Sequence, residues 1–394
     1  MHFGEIELEG PYAEFAQQVE AFFAEHAGPS ALAQEERTGD GFDEALHLAM
    51  GERGWLMDTW PRADGGAGLD RLQHRVLTLG QERTGLPFTT LGTTQLAAEA
   101  VRRYAQDDVR AHLMRGAATG AVRFCLGYTE PEGGSDVAAV RTHAEYDGAA
   151  WVVSGSKLFT TGAHNCQYAF SVVRTNADVP KHEGLTMLLV PLSAPGLEIR
   201  PLRTFGGERT NIVYLDRVEV PDQLRIGPLN GGWAVLHDRL DAEHSLAAGQ
   251  ADDGLESPSR RTPYATLLAR CVDAVHEWAW ASEDEGGGLL AESLDFRLQL
   301  GLVAVEAEAA LSAPGHHGRV KASEALIEGS ARLLELMGPT AFRSDNTSAA
   351  ATGHLIETTH RYAQGTAIYG GTTEVFRNII AYQDLGLPRP AYPG

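Results

Sequence analysis

Residues 127–136 read GYTEPEGGSD, a loop-like sequence in which a proline and two adjacent glycines follow each other closely. Pro131 fixes its own φ and favours an extended residue before it. Gly133 and Gly134 have no Cβ atoms that would keep a large ligand away from the backbone. The hydroxyl and amide groups of such a loop can hydrogen-bond a heteroaromatic edge and a phosphate. A simple Pro/Gly turn is the alternative interpretation of this stretch alone.

The residue periodicity differs on the two sides of this loop. Before it, apolar residues recur at helical spacing, as in Phe15 and Val19. After it, short β-rich runs alternate with Gly, Pro and Asn/Asp turns. These runs are Trp151–Gly155, Ala169–Val173, Leu185–Val190, Leu197–Leu202 and Ile212–Val220. Helical spacing returns from Gly232 onwards, with loops predicted at Asp252–Pro263 and Glu283–Gly288 because proline, glycine and like charges oppose a helix.

This order of elements predicts an α+β protein with three domains. A helical domain is expected at residues 1–120, a β-domain at residues 121–229 and a helical region at residues 230–394. The chain has 394 residues and is 43% apolar, which is enough for a sizeable core in each part.

Charge and cysteine content exclude several classes of function. The formal net charge of −21 argues against nucleic acid or an anionic membrane surface as a partner. A phosphate-bearing ligand would need a local basic patch, for which the sequence offers one set of arginines in the β-rich part. They are Arg200, Arg203, Arg209, Arg217 and Arg225. Three scattered cysteines predict neither a disulfide framework nor a zinc site. With an acidic N-terminus and no long apolar run, the protein is expected to be cytoplasmic, without a membrane span.

Five further segments accompany the loop in a fixed order. They are Trp60–Leu69 (WPRADGGAGL), Gly155–Gly162 (GSKLFTTG), Phe205–Pro221 (FGGERTNIVYLDRVEVP), Leu240–Gly249 (LDAEHSLAAG) and Tyr369–Leu387 (YGGTTEVFRNIIAYQDLGL). Together with GYTEPEGGSD they resemble the acyl-CoA dehydrogenase family over nearly the whole chain. The resemblance implies an N-terminal helical domain, a middle β-domain and a C-terminal four-helix bundle, with a flavin between the last two.

The same resemblance implies that the cofactor is FAD and assigns residues to it. Tyr128 through its backbone, Thr129, Gly134 and Ser135 are expected to contact the flavin ring and phosphates. Phe159 stands where the family has the aromatic residue that covers the ring. Thr161 is the expected hydroxyl near N5 of the flavin, and Thr160 is the alternative. Thr372 and Glu374 match flavin-contacting positions in the C-terminal segment, although an amide is common at the second.

The catalytic base departs from the usual family pattern. Most members carry a glutamate directly after the tyrosine of the C-terminal segment, but here Tyr369 is followed by Gly370 and Gly371. A minority, which includes isovaleryl- and long-chain-type enzymes, has the base in an LDxER segment. Here that segment is LDAEH, which makes Glu243 the expected base for the α-proton while the β-hydride passes to N5 of FAD. The Gly370 N–H is expected to contact the thioester carbonyl.

His244 replaces the usual arginine, and Ser135, His244 and Tyr369 are the expected substrate contacts. The resemblance implies an acyl-CoA or acyl-carrier-protein thioester as substrate, with a weak preference for bulky, branched or polycyclic acyl groups. It also implies an acceptor similar to electron-transfer flavoprotein.

The segment that family members lend to a neighbouring subunit's flavin also departs from the pattern. Glu335 and Pro339 stand where an amide and a glycine are expected. An acid repels a phosphate and a proline lacks the N–H donor. A homo-oligomer and a hetero-oligomer with a paralogous chain therefore both stay open. The alternative functions are a non-catalytic or half-site subunit of a hetero-oligomeric acyl-CoA dehydrogenase, or a flavin monooxygenase or oxidase on the same fold.

Overall fold

The computed structural model describes residues 8–238, 263–283, 286–343, 345 and 347–388. Contacts divide these residues into two compact units. The first unit contains residues 8–204 and 208–238, and the second contains residues 205–207 together with the described residues from 263 onwards.

Six helices open the first unit. They are α1 (Pro11–His26), α2 (Pro29–Thr38), α3 (Glu44–Glu52), α4 (Arg71–Thr84), α5 (Thr89–Tyr104) and α6 (Asp107–Thr119). Their ends follow from local chemistry. The Asp43 side chain accepts the Leu46 N–H at the start of α3, and Asp70 forms a capping box with Gln73 at the start of α4. Gly85 ends α4 in the left-handed conformation that glycine adopts without strain.

The helical core is built mainly from aromatic and aliphatic residues of α1, α3, α4 and the turn that follows α3. Phe22 packs edge to face against Trp55, with ring centroids 4.8 Å apart. Gly80 allows α4 to approach α1, because a Cβ at this position would overlap Val19. The apolar spacing predicted from Phe15 and Val19 is therefore the buried face of a helix.

The rest of this unit is dominated by one mixed sheet. Its strands are β1 (Phe124–Gly127), β2 (His143–Tyr146), β3 (Ala150–Lys157), β4 (Tyr168–Arg174), β5 (Leu185–Pro191), β6 (Leu197–Arg203), β7 (Arg209–Pro221) and β8 (Arg225–Ile226). The order across the sheet is β6-β7-β3-β2-β4-β5-β8, and β1 pairs in parallel with β4. β4 and β5 are almost entirely buried, which explains their continuous apolar sequences.

The second unit is a helical bundle. Its helices are α7 (Pro263–Trp280), α8 (Leu294–Ser312), α9 (Gly315–Met337), α10 (Ser348–Thr366) and the short α11 (Thr373–Ile379). The four long helices share one core that includes Leu268, Val303, Leu326 and Ile356. Each of these residues lies on the buried stripe of its own helix, as helix packing requires.

The predicted fold class is confirmed, with the helical, β and helical parts in the expected order. All five predicted strands form, whereas the short β1, β2 and β8 were not predicted. Glu283 and Leu289 form an isolated bridge across one predicted loop, and most of the other predicted loop lies outside the described residues. The division into three domains stays a prediction. Within the described ranges, no helix is long and apolar enough to cross a membrane.

Candidate active site

The loop that begins at Gly127 leaves the sheet at the end of β1. Gly127 is opposite Ser171 of β4, and a Cβ at position 127 would overlap the Ser171 hydroxyl. Glu130 and Gly133 then close a tight turn by exchanging backbone hydrogen bonds of 3.0 and 3.2 Å. The glycine and the turn fix where the loop departs from the sheet.

A buried ion pair anchors this loop to the sheet. The Lys157 ammonium donates to the Glu130 carboxylate at 2.7 Å and to the Val172 carbonyl at 2.7 Å. The carboxylate also accepts the backbone N–H groups of Arg141 and Thr142 at 2.6 and 3.0 Å. Charge and hydrogen bonds therefore tie the loop to the sheet. The sequence motifs contain both charged residues, but neither was predicted to have this role.

The environment of the pair shifts both pKa values downwards. Burial lowers the pKa of Lys157 to about 8, against the opposing attraction of Glu130. Burial would raise the pKa of Glu130, but the Lys157 charge and the hydrogen bonds outweigh it and hold that pKa below its ordinary value.

Beyond the turn the loop is open to solvent. Gly134 and Ser135 are exposed, and a Cβ built at Gly134 would meet no atom of the protein within 4 Å. Internal packing therefore does not require a glycine here, whereas the close approach of a ligand to the backbone would. This observation fits a cofactor lying against the loop.

Phe159 has the properties of an aromatic residue that contacts a ligand. Its backbone φ is 55°, a conformation that L-residues rarely adopt, and 54% of the residue is exposed. A strained, exposed aromatic residue beside an open glycine loop indicates function rather than core packing. The Leu158 N–H donates to the Thr129 carbonyl at 2.9 Å and so joins this segment to the loop.

The two threonines after Phe159 differ in their surroundings. The Thr161 hydroxyl is partly exposed and shares a 3.0 Å hydrogen bond with the Thr210 hydroxyl. The Thr160 hydroxyl is buried and has no hydrogen-bond partner among the described residues. Of the two, Thr161 is therefore the hydroxyl that a ligand can reach.

A series of hydrogen bonds that was not predicted fixes the segment that contains Thr160 and Thr161. The Asn211 amide donates to the Thr160 carbonyl at 3.0 Å and to His164 Nδ1 at 3.1 Å. Because His164 Nδ1 accepts, its Nε2 carries the proton that faces Asp40 at 2.6 Å. Burial would raise the pKa of Asp40, but hydrogen bonds from His164 and Asn165 hold it below its ordinary value. No local motif identifies such a chain, because Asp40 lies 124 residues before His164.

In the second unit the predicted residues share one turn between α10 and α11. Gly370 and Gly371 have φ values of 66° and 91°. The Thr372 hydroxyl caps α11 by accepting the Val375 N–H at 3.1 Å. Glu374 is exposed and accepts from the Thr373 hydroxyl at 3.2 Å. Hydrogen bonds from its own backbone amide and from Thr373 lower the pKa of Glu374.

Comparison with known proteins agrees with this arrangement. Family models described as the N-terminal, middle and C-terminal domains of acyl-CoA dehydrogenase match residues 12–121, 125–218 and 315–384. Acyl-CoA dehydrogenase FadE26 of Mycobacterium tuberculosis is 30% identical over 404 residues, covering 95% of this chain and 97% of the relative. This chain belongs to the acyl-CoA dehydrogenase family.

Solved structures that are similar to this chain match nearly all of its length. The ChsE4-ChsE5 complex from Mycobacterium tuberculosis has a TM-score of 0.80 at 29% identity, covering 98% of this chain and 100% of that chain. The steroid ACAD Tcur3481-Tcur3483 has a TM-score of 0.78 at 26% identity, with the same coverage. The predicted family, enzyme class and reaction are confirmed: the protein is a flavin-dependent oxidoreductase that dehydrogenates acyl-CoA.

The individual site residues of this acyl-CoA dehydrogenase stay predictions. The structure brings Thr129, Gly134, Ser135 and the segment around Phe159 together in the first unit, and it brings Tyr369, Gly370, Thr372 and Glu374 together in the second. Glu243 and His244 lie outside the described residues. Glu335 is exposed at the end of α9, and Pro339 lies in the 3-10 turn that follows.

Proposed function

We propose that this acyl-CoA dehydrogenase binds FAD and uses Glu243 to remove the α-proton of its substrate. One observation carries the proposal: the turn after Tyr369, where most family members have the base, holds two glycines and no carboxylate. The nearest acid along the chain, Glu374, is exposed, and its hydrogen bonds lower its pKa, which makes it a weak base. A base from another segment is therefore required.

Residues of each unit, taken separately, are proposed to contact a flavin. The open Gly134 backbone, the Ser135 hydroxyl and the exposed Phe159 ring would hold the ring system and phosphates from the first unit. In the first unit, further flavin contacts are proposed for the Tyr128 backbone, Thr129 and Thr161. In the second unit, the proposed flavin contacts are Thr372 and Glu374. When bound, the flavin supplies a two-electron acceptor for the β-hydride, which protein side chains lack.

The remaining chemistry belongs to this chain. Glu243 accepts the α-proton, and the Gly370 N–H donates to the thioester carbonyl as negative charge develops on its oxygen. Ser135, His244 and Tyr369 are proposed to contact the substrate. A carboxylate enclosed with an acyl chain loses water, which raises its pKa towards the value that suits a base at neutral pH.

Replacing Glu243 tests this assignment. Glu243→Gln is expected to keep flavin and bind acyl-CoA but to lose at least about a hundredfold in kcat, because the amide cannot accept the proton. The measurement is the loss of visible flavin absorbance after mixing with excess acyl-CoA. Glu277→Gln is the matched control because Glu277 is exposed on α7. Full reduction of the flavin in Glu243→Gln would show that the base is another residue.

We propose a bulky, branched or polycyclic acyl group as the substrate, carried by CoA. The proposal is supported by the position of Glu243 and by the similarity to a steroid ACAD. A panel of straight, branched and ring-bearing acyl-CoA and acyl-carrier-protein thioesters, assayed with a ferrocenium-type acceptor, tests it. A preference for straight short chains would contradict it. An acceptor similar to electron-transfer flavoprotein and a cytoplasmic location stay predictions.

The assembly is proposed to include a second dehydrogenase-type chain. Glu335 and Pro339 lack the amide and the N–H that would complete a neighbour's flavin site. The similar ChsE4-ChsE5 complex contains two different proteins, which supports a hetero-oligomer over a homo-oligomer. Expressing this chain alone, and then together with a paralogous chain, distinguishes the hetero-oligomer from the homo-oligomer. One flavin per chain in a homo-oligomer would rule out an obligatory partner.

The same preparation tests the alternative functions. A chain without flavin at any stoichiometry, even beside its partner, would indicate a non-catalytic subunit. Rapid peroxide formation in air during turnover would instead indicate an oxidase or monooxygenase.

A further inference from the structure

Arg319 is a fully buried cation in the helical bundle. It lies on α9 with 1% of its surface exposed, between the rings of Tyr264 and Phe376 at 4.9 and 5.2 Å. Of the residues that the structure describes, no carboxylate pairs with it, and its Nη1 has no hydrogen-bond partner. A buried charge without a counter-ion is costly unless other groups stabilise it. Its environment therefore indicates a specific role.

The guanidinium donates to backbone carbonyls instead. Its Nη2 donates to the Thr366 carbonyl at 2.7 Å and to the Tyr369 carbonyl at 3.0 Å. The first carbonyl ends α10, and the second belongs to the turn that contains Gly370. One side chain therefore links α9 to the turn proposed to hold the thioester.

The Tyr369 carbonyl and the Gly370 N–H are the two ends of one peptide unit. In a trans peptide these groups point in opposite directions, and the described chain contains no cis peptide. The Arg319 cation at the Tyr369 oxygen therefore lies on the side of the peptide opposite the Gly370 N–H. Both groups belong to one polarisable peptide.

Neighbouring contacts keep this peptide in place. The Ser323 and Thr366 hydroxyls share a 2.8 Å hydrogen bond, and the Thr373 N–H donates to the Ala367 carbonyl at 3.0 Å. Gly365 leaves room for the Tyr369 ring, because a Cβ there would overlap it. The turn is thus held on both sides of Gly370.

We propose that Arg319 is a positioning residue that polarises the Tyr369–Gly370 peptide and strengthens the Gly370 N–H as a donor to the thioester carbonyl. Charge-assisted hydrogen bonds are the strong ones, and linked hydrogen bonds polarise one another. The inference rests on the proposed function of Gly370, and it adds a side chain whose charge acts through a backbone group.

The effect should appear mainly in the rate of proton removal. Negative charge grows on the thioester oxygen only as the α-proton leaves, so a stronger donor stabilises the transition state more than the bound substrate. Loss of the Arg319 charge is therefore expected to lower kcat about tenfold to a hundredfold while KM changes little.

A single backbone resonance reports the contact without substrate. Tyr369 is the only tyrosine of the chain that is followed by a glycine. Labelling tyrosine carbonyls with ¹³C and glycine amides with ¹⁵N therefore yields one correlation, from this peptide. In Arg319→Gln the carbonyl resonance is expected to move upfield and the Gly370 N–H resonance to move with it. In Arg319→Lys the shift is expected to be smaller, because the charge is retained. Arg343→Gln, which removes an exposed arginine paired with Asp345, is the matched control.

The outcomes separate polarisation from simple packing. A shifted resonance together with a kcat loss at unchanged KM and flavin content supports the proposal. An unmoved resonance in Arg319→Gln, or a lower melting temperature with wild-type kcat, contradicts it. Should Arg319→Gln not fold, Arg319→Lys carries the test: because it keeps the charge, a loss of kcat of about a hundredfold with the resonance at its wild-type position contradicts the proposal. Full flavin reduction in Glu243→Gln would instead overturn the proposed function, and the resonance still tests the contact.

Discussion

Among single residues, Glu35 is the clearest source of pH-dependent stability. Burial, with Glu208, Asp40 and Glu36 nearby, raises its pKa to about 7 from an ordinary value of 4.5. Because the folded pKa lies above the unfolded one, the protonated form stabilises the fold fully below about pH 4.5. That contribution is lost as the pH rises through 7.

We therefore expect Glu35→Gln to stabilise the protein at pH 8 and to change little at pH 5. After a discount for partial exposure, the gain is about 1–2 kcal/mol, or a few degrees in melting temperature. Thermal unfolding of both proteins at several pH values measures it, with Glu25→Gln of α1 as the exposed control. Identical pH profiles for wild type and Glu35→Gln would refute the assignment.

The Lys157–Glu130 pair gives a second test at this scale. Lys157→Met leaves a buried carboxylate without its cation and is expected to cost about 3–5 kcal/mol. Because Glu130 anchors the loop that carries Gly134 and Ser135, flavin content should fall as well. In the double variant with Glu130→Gln, which keeps an oxygen for the Arg141 and Thr142 amides, part of the stability should return. Unfolding free energies of the full mutant cycle measure the coupling, and additive losses would show that the two residues act independently.

The motif that contains Phe159 made it a candidate ligand contact, but its strained backbone could not be predicted from sequence. The positive φ is held by the Thr160 N–H, which donates to the Asn211 carbonyl at 2.9 Å from a strand far along the chain. The same limit applies to Arg319, whose importance appears only when the Tyr369 carbonyl is seen to face it. Motifs identify candidate ligand contacts, but they do not show what holds those residues in place.

At the scale of elements, prediction succeeded where the signal was local. The helical spacing that contains Phe15 and Val19 and the continuous apolar runs of β4 and β5 could be predicted from their own residues. β1 and β8, of four and two residues, could not. Their existence depends on pairing with β4 and β5, so their own sequences carry too little information.

Helix α8 is unusual because both of its faces are apolar. Phe296, Leu300 and Val303 point into the bundle core. On the opposite side, residues four, eight and eleven positions after Leu294 continue an exposed apolar stripe. The stripe consists of Leu294, Leu298, Leu302 and Val305, which are 44–81% exposed. An exposed apolar stripe of this length is typical of an interaction surface, so this face fits a contact with another chain.

For the whole molecule, the charge balance limits how CoA is recognised. The arginines expected to form a basic patch are partly neutralised, since Arg200 pairs with Glu198 at 2.8 Å and Arg225 pairs with Asp222 at 2.8 Å. The whole chain has a net charge of −21, and these paired arginines offer the CoA phosphates less positive charge than their number suggests. A partner chain that contributes basic groups would fit both this balance and the proposed hetero-oligomer.

The last prediction concerns that assembly. If the α8 stripe packs against a second dehydrogenase-type chain, a charge placed in its centre must be buried in the interface, which is strongly unfavourable. The double variant Leu298→Asp, Leu302→Asp is therefore expected to remain folded but to lose its partner on co-purification. Sedimentation and melting temperature together measure assembly and folding. Leu48→Asp is the matched control, because Leu48 is a similarly exposed leucine, at 41%, on α3 of the other unit. Unchanged assembly of the double variant would place the interface elsewhere, while loss of assembly in both variants would point to general destabilisation instead of a defined contact.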